Sequence, residues 1–282
     1  MFARAPASSA NLGPGFDTIA VALTLYVEVS LELADRFSIV SDGTGAGQFD
    51  DERHLGVRVA KSVLGHTNFA MRVTSSIPLS RGLGSSAALA VAAAAAANAE
   101  NPLAVGASVD DHAENAAASV LGGLVVASVS ERDGVIARSL PFDDSWRFVA
   151  VVPDQELATG DARRVLPTDV PLRDAVRNLN ALGLLIAGLA NHHEFVASSM
   201  DDYLHQPHRM GLLPFAAPLL SLLRESGAAG SCWSGAGSTM LGLVTNDTAS
   251  NVAGAAREFL HERSIPGVVH VLDVDRTGLV TR

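Results

Sequence analysis

Apolar and polar residues alternate through TLYVEVSLEL from Leu25 to Leu33, and this period of two predicts strand across residues 18–40. A polar, glycine-rich turn region follows at 41–52, then a helix at 53–65 and a short strand, FAMRVTS, at 69–75. SIPLSRGLGSS leads into an alanine-rich helix from Ser86 to Ala99, and a second helix is expected across 103–120. A Gly-Gly turn at 122–123 introduces strands at 124–130, 135–140 and 147–152. Beyond residue 150 the spacing turns helical: Leu182, Leu185, Ile186 and Leu189 share one face of a helical 170–200, and 212–227 reads the same way. GSCWSGAGSTMLGLV (230–244) reads as strand–loop–strand. Asp247 to Arg263 is a final helix capped by Asn246 or Thr248, and VVHVLDVD (268–275) a last strand. Strands and helices interleave without regular βαβ alternation, which predicts an α+β protein with two lobes divided near residue 150.

Composition narrows the class. Apolar residues make up 48% of the 282 and charged residues 18%, the balance of a compact globule. The longest purely apolar run, Ala87 to Ala97, is well short of the ~20 residues needed to span a bilayer. MFARAPASS at the N-terminus lacks the apolar core of a signal peptide, so a soluble, cytoplasmic protein is expected. The single cysteine, Cys232, excludes an internal disulfide framework and a thiolate zinc cluster. Thirty acids against 20 basic residues give a net charge of −10, and the arginines are scattered, which argues against a nucleic-acid partner.

Lys61 is the only lysine. Schiff-base chemistry and a Walker-type phosphate loop each need one, and Lys61 lies on the wet side of the amphipathic helix HLGVRVAKSVLG. An anion bound by this chain must therefore meet backbone N–H groups, helix ends or individually placed arginines.

The segment Pro78-Leu-Ser-Arg-Gly-Leu-Gly-Ser-Ser-Ala-Ala88 supplies such a grip. Gly82 and Gly84 permit positive φ and close ligand approach, and Ser85 and Ser86 stand where a helix begins. The free N–H groups and positive dipole end of that helix form an anion site without lysine. Two further glycine-rich segments accompany it, PASSANLGPGFD (6–17) and SGAGST (234–239), and HAENAAASVLGG occupies 112–123.

Together these four segments resemble the small-molecule kinase superfamily that includes galactokinase, homoserine kinase and mevalonate kinase. The details are most similar to homoserine kinases: PASSANLGPGFD, the GLGSSAA loop, HAENAAASVLGG, LATGDARRVLP (157–167) and LHQPHR (204–209) follow that family's motifs in order over nearly the whole chain. The resemblance implies a ribosomal-protein-S5-like ATP-binding lobe at 1–150, with phosphate loop 78–88, and a ferredoxin-like lobe at 151–282 that completes the substrate site. It implies phosphorylation of the L-homoserine hydroxyl by ATP, in threonine biosynthesis, through alignment and electrostatic stabilisation without a strong general base. Pro78, Arg81, Gly82, Leu83, Gly84, Ser85, Ser86 and Ala87 are the expected ATP contacts. Asn11, Asp17, His112 and Asn115 are the expected catalytic residues. Asn11, Asp17 (facing the ammonium), His112, Thr159, Arg163 and Arg209 are the expected substrate contacts, the two arginines clamping the α-carboxylate. Mg²⁺ is expected on Ser86 and Asp110, and a homodimer is the usual assembly.

The chain departs from the family at three points. Glu114 stands where an aspartate is usual, Ser238 where a proline is usual, and Ser108-Val-Asp-Asp111 where the glutamate that ligates Mg²⁺ is usual, leaving Asp110 or Asp111 as its substitute. These changes keep open a kinase for another small hydroxylated amino acid or metabolite, or a non-catalytic ligand-binding homologue. His205 and His208, three residues apart, read as packing or hydrogen-bonding groups.

Overall fold

The structure is a computed structural model and describes residues 1–110 and 112–282, with the side chain of Asp110 also outside the described set. The first part of the chain forms β1 (Phe2–Asn11), β2 (Gly15–Leu33), β3 (Ser38–Gly43), α1 (Leu55–Leu64), β4 (Phe69–Ser75), α2 (Ser85–Ala96), α3 (Pro102–Asp110), α4 (Ala113–Leu121), β5 (Leu124–Ser130) and β6 (Gly134–Leu140). The second part forms β7 (Arg147–Pro153), α5 (Thr159–Arg164), α6 (Leu172–Ala190), α7 (Gln206–Arg209), α8 (Ala216–Glu225), β8 (Gly230–Trp233), β9 (Met240–Val244), α9 (Asn246–Glu262), β10 (Gly267–Leu272) and β11 (Val280–Thr281).

Two sheets organise these elements. The larger runs β11-β1-β2-β4-β3, and β5 pairs with the early part of β2 while β6 pairs with β5. β2 is long enough to serve two partners, β5 near Ile19–Val21 and β4 from Val27 to Leu33. The smaller sheet runs β10-β7-β9-β8, antiparallel throughout. Helix α2 is apolar on every side and is buried against β1 and β2, with α1 and α3 packed over it. Alternation along the smaller sheet splits its side chains. Val149, Val151, Trp233 and Met240 pack under α8 and α9. Phe148, Ala150, Cys232 and Leu241 join the main core with Leu185 and Leu189 of α6.

The architecture is α+β, as the interleaved pattern predicts. Several boundaries differ, each for a physical reason. Residues 2–11, to which the pattern assigns no element, form a strand, although FARAPASSAN carries no apolar alternation. The strand is covered on both faces, so small residues replace an apolar stripe, and Ser8 and Ser9 are buried with partners. The helix expected across 103–120 is two, α3 and α4. The helix expected across 170–200 stops at Ala190, and the remainder forms 3₁₀ turns at 192–194 and 197–200. Helix α9 starts at Asn246, one residue before the expected start, and Thr245 caps it in a reciprocal pair with Thr248. The last expected strand ends at Leu272, and Val280–Thr281 returns to the larger sheet beside β1. Lys61 pairs with exposed Glu52 at 2.9 Å, the surface role expected of it.

Candidate active site

The three glycine-rich segments interlock. Ser234 Oγ donates to the Gly82 carbonyl at 2.6 Å and lies 2.8 Å from Ser9 Oγ, while the Gly235 N–H donates to the Ala10 carbonyl at 3.0 Å. Contact is close enough to require glycine. A Cβ at Gly82 would lie 2.1 Å from the Ser234 carbonyl oxygen, and one at Gly84 would lie 2.1 Å from Ser8 Oγ. Both residues also have positive φ, 74° and 65°. Gly84 is the N-cap of α2 and offers no side chain, so the first N–H groups of the helix remain free. The Ser85 and Ser86 hydroxyls make no hydrogen bond among the described residues. This wall of the cleft, with Pro78, Leu83 and Ala87, presents backbone donors and a positive dipole end to an anion. Arg81 donates to the carbonyls of Leu79 and Pro153 at 2.9 and 2.8 Å and to that of Asp154, tying the loop to the end of β7.

Charged side chains from distant segments line the rest of the cleft. Arg163, at the end of α5, donates to Asp17 at 2.8 Å. Asp17 sits just inside β2 with φ 47°, and its N–H is held at 3.0 Å by Asn11 Oδ1. His112 Nδ1 lies 3.3 Å from Glu114 Oε1 and 3.9 Å from Asp17 Oδ1. Glu114 occupies the first turn of α4, with its side chain 4% exposed, and Oε1 has no aligned hydrogen-bond donor among the described residues. The neighbouring Glu114 carboxylate raises the His112 pKa above the ordinary imidazole value, against the opposing effect of burial. His112 is thereby biased toward its protonated form.

Arg209 is buried yet tightly held. Its Nε donates to the Ala162 carbonyl at 3.1 Å, and its Nη1 donates to the Gly235 carbonyl at 3.0 Å and to His205 Nδ1 at 3.1 Å. Burial lowers the guanidinium pKa to about 10, which leaves it charged at neutral pH. His205 is fully buried, and burial pushes its pKa down to about 4. A neutral ring fits its contacts: Nδ1 accepts from Arg209 while Nε2–H donates to the Gly13 carbonyl at 2.8 Å. His205 thus joins the turn after β1 to Arg209, the hydrogen-bonding role expected of it.

All the sequence-predicted residues with described side chains line one cleft that opens to solvent. Their duties differ. Asn11 turns inward, donating to the Gly235 carbonyl at 2.9 Å and accepting from Asp17 N–H, so it shapes the wall. Asn115 Oδ1 accepts from Ser8 Oγ at 2.9 Å. Thr159 is exposed at the start of α5 and lines the cleft with Arg163. Asp110 and Asp111, the expected carboxylates for Mg²⁺, lie outside the described side chains. Glu114, noted in the sequence only as a departure from the usual aspartate, is a full member of the site; its signal was its place between His112 and Asn115. Gly235, whose carbonyl receives both Asn11 and Arg209, carried no such signal. Ser238 is buried, and its hydroxyl donates to the Gln155 carbonyl.

The electrostatics are divided. One pole offers backbone N–H groups; the other sets two carboxylates against two guanidiniums and an imidazole. Residues 54–130 match the family model for the GHMP kinase N-terminal domain, and residues 172–262 match that for the GHMP kinase C-terminal domain. A curated homoserine kinase of Desulfitobacterium hafniense is 35% identical over 290 residues, covering 98% of this chain and 97% of the relative. One from Cutibacterium acnes is 37% identical over 270 residues, covering 89% and 90%. The crystal structure of homoserine kinase from Cytophaga hutchinsonii superposes with a TM-score of 0.86 at 28% identity, covering 99% of this chain and 96% of that one. With the two-lobed fold, these similarities place the chain among the GHMP kinases, as a member of the homoserine kinase family.

Proposed function

We propose that this chain transfers the γ-phosphoryl group of ATP to the hydroxyl of L-homoserine, giving O-phospho-L-homoserine and ADP. The observation that supports the substrate most is the charged pole beside the phosphate wall. Asp17 and Glu114 suit an ammonium, and Arg163 and Arg209 suit a carboxylate, so the pole matches an α-amino acid zwitterion. Asp17 and Arg163 pair with each other, so each has a partner that a group of the zwitterion replaces. Substrate carboxylate takes over Arg163 and substrate ammonium takes over Asp17, so neither charge is left unpaired. Mevalonate would take Arg163 without supplying an ammonium to Asp17, and a neutral sugar offers a charge to neither.

The nucleotide phosphates lie on the N–H groups of Gly82 to Ala87. Mg²⁺ requires oxygen donors, which the Ser86 hydroxyl meets and the imidazole in the Asp17–His112–Glu114 group does not. Ser86 would hold the ion together with phosphate oxygens, and the bound ion neutralises charge on the transferring group. His112, biased toward its protonated form by the Glu114 carboxylate, serves as a donor toward the reacting phosphate rather than a base. Catalysis then rests on alignment of hydroxyl and phosphate and on charge stabilisation. Residues 1–150 form the ATP-binding lobe and 151–282 complete the substrate site. Among the described residues no helix is long and apolar enough to cross a membrane, consistent with a cytoplasmic enzyme. The working assembly is a homodimer.

ADP release measured with Mg²⁺ over homoserine, threonine, serine, mevalonate and shikimate tests the reading. Turnover should be fastest with homoserine and vanish on chelation of the metal. Measurable ATP binding without turnover of homoserine would overturn it.

A further inference from the structure

Glu114 is buried with a carboxylate oxygen that no described residue satisfies. Its side chain is 4% exposed, and Oε1 has no hydrogen-bond partner among the described residues. His112 Nδ1 lies 3.3 Å away and is likewise without a hydrogen bond, so the two atoms are close but out of line as donor and acceptor. Buried polar atoms left this way are costly, and a third group that both can reach removes the cost.

Asp17 completes the set. Its Oδ1 lies 3.9 Å from His112 Nδ1, and one donor atom from each of the three residues falls within 4.8 Å of the others. Two donors bound to a tetrahedral ion at 2.0–2.1 Å stand about 3.3 Å apart, which is the separation of His112 Nδ1 and Glu114 Oε1. Asp17 is the most exposed of the three and matches that spacing by closing about half an ångström toward the imidazole. Its other oxygen is held by Arg163 at 2.8 Å, and its N–H by Asn11. A ligating carboxylate with its second oxygen hydrogen-bonded is the usual outer support of a metal site.

The donor set selects the ion. One imidazole nitrogen and two carboxylate oxygens, with the cleft open to a water as fourth ligand, suit Zn²⁺ and Co²⁺. Mg²⁺ prefers six oxygens and belongs with the nucleotide phosphates. The two carboxylates balance the charge of a divalent ion, and any imidazole proton leaves to solvent when the ion binds.

We infer that Asp17, His112 and Glu114 form a site for a transition-metal ion of the Zn²⁺ class, separate from the Mg²⁺ that accompanies ATP. Its consequence rests on the zwitterion reading above: an ion there takes the place of the substrate ammonium, so metal and amino acid compete and the ion inhibits.

Visible absorption of the chain titrated with Co²⁺, without nucleotide, tests it, because four-coordinate Co²⁺ absorbs far more strongly than the six-coordinate ion. One ion per chain should bind with the strong spectrum, and Zn²⁺ should displace it. Glu114→Gln and Asp17→Asn should each weaken binding by about 100-fold or more, since loss of an outer partner alone costs about 10–100-fold. ATP binding by calorimetry reports that each variant has folded. His193→Ala, at an exposed histidine outside the cleft, should change nothing. A chain that gives no strong spectrum, or gives it equally in Glu114→Gln, overturns the site. Displacement of Co²⁺ by millimolar Mg²⁺ overturns the choice of ion. L-Homoserine should release the ion more effectively than D-homoserine, which chelates identically in solution. An ion that stays bound in L-homoserine leaves the metal site standing and overturns the zwitterion reading instead.

Discussion

The two walls of the cleft recognise charge by opposite means. The glycine-rich wall is nearly continuous in sequence, from Pro78 to Ala87, and presents backbone N–H groups and a helix dipole. The charged wall draws Asp17, His112, Glu114, Arg163 and Arg209 from four separate elements or their edges and presents side-chain charge. The first wall depends on the absence of side chains, because glycine leaves room for neighbouring backbone. The second depends on partial burial, because charges exposed to water are screened and bind weakly. A substitution should therefore harm the first wall by adding atoms and the second by removing charge.

The largest effect is expected at Gly82. Gly82→Ala puts a methyl group 2.1 Å from the Ser234 carbonyl oxygen at a positive φ, where the obstacle is backbone. A loss of about 3 kcal/mol or more is expected, read as a fall in melting temperature together with weakened ATP binding by calorimetry. Unchanged ATP affinity would show that the wall does not depend on excluding side chains. Arg209→Leu comes next. Losing one partner of a buried carboxylate contact costs about 2–5 kcal/mol, so the KM for homoserine should rise by about 100-fold or more while ATP affinity holds. An equal loss of ATP affinity would merge the two walls into one.

Glu114→Gln should act mainly on pH dependence. With the carboxylate gone, the chief cause of the raised His112 pKa disappears. In the native chain the protonated imidazole is lost only as pH rises through that raised value; in the variant this loss moves to lower pH. Histidine titration by NMR, alongside the alkaline limb of kcat/KM, checks the shift. The smallest effect belongs to Lys61→Met, which removes an exposed pair 2.9 Å long. Stability should change by less than about 0.5 kcal/mol, with ATP binding unaltered. A loss of ATP binding there would return lysine to the phosphate site.

Much of the site was legible because its motifs are local. GLGSS before an alanine run specifies a loop and a helix start by backbone propensity alone. The strand at Phe2–Asn11 was not legible, because its small residues are buried by contact with α2 and α4 and not by a pattern of their own. The break between α3 and α4 was hidden for a related reason: alanines and valines continue the apolar spacing on both sides of it.

The sequence by itself determined which groups an anion can meet, since a chain whose single lysine lies on a helix surface offers backbone groups or arginine. It also determined the identities of the charges available to a zwitterion. Only the tertiary structure decided how those charges meet: that Arg163 pairs with Asp17, that Glu114 is buried beside His112, and that a neutral His205 holds Arg209. The physical reason is range. Helix initiation and glycine conformation are set within a few residues, whereas the protonation and pairing of buried groups depend on neighbours brought together by folding.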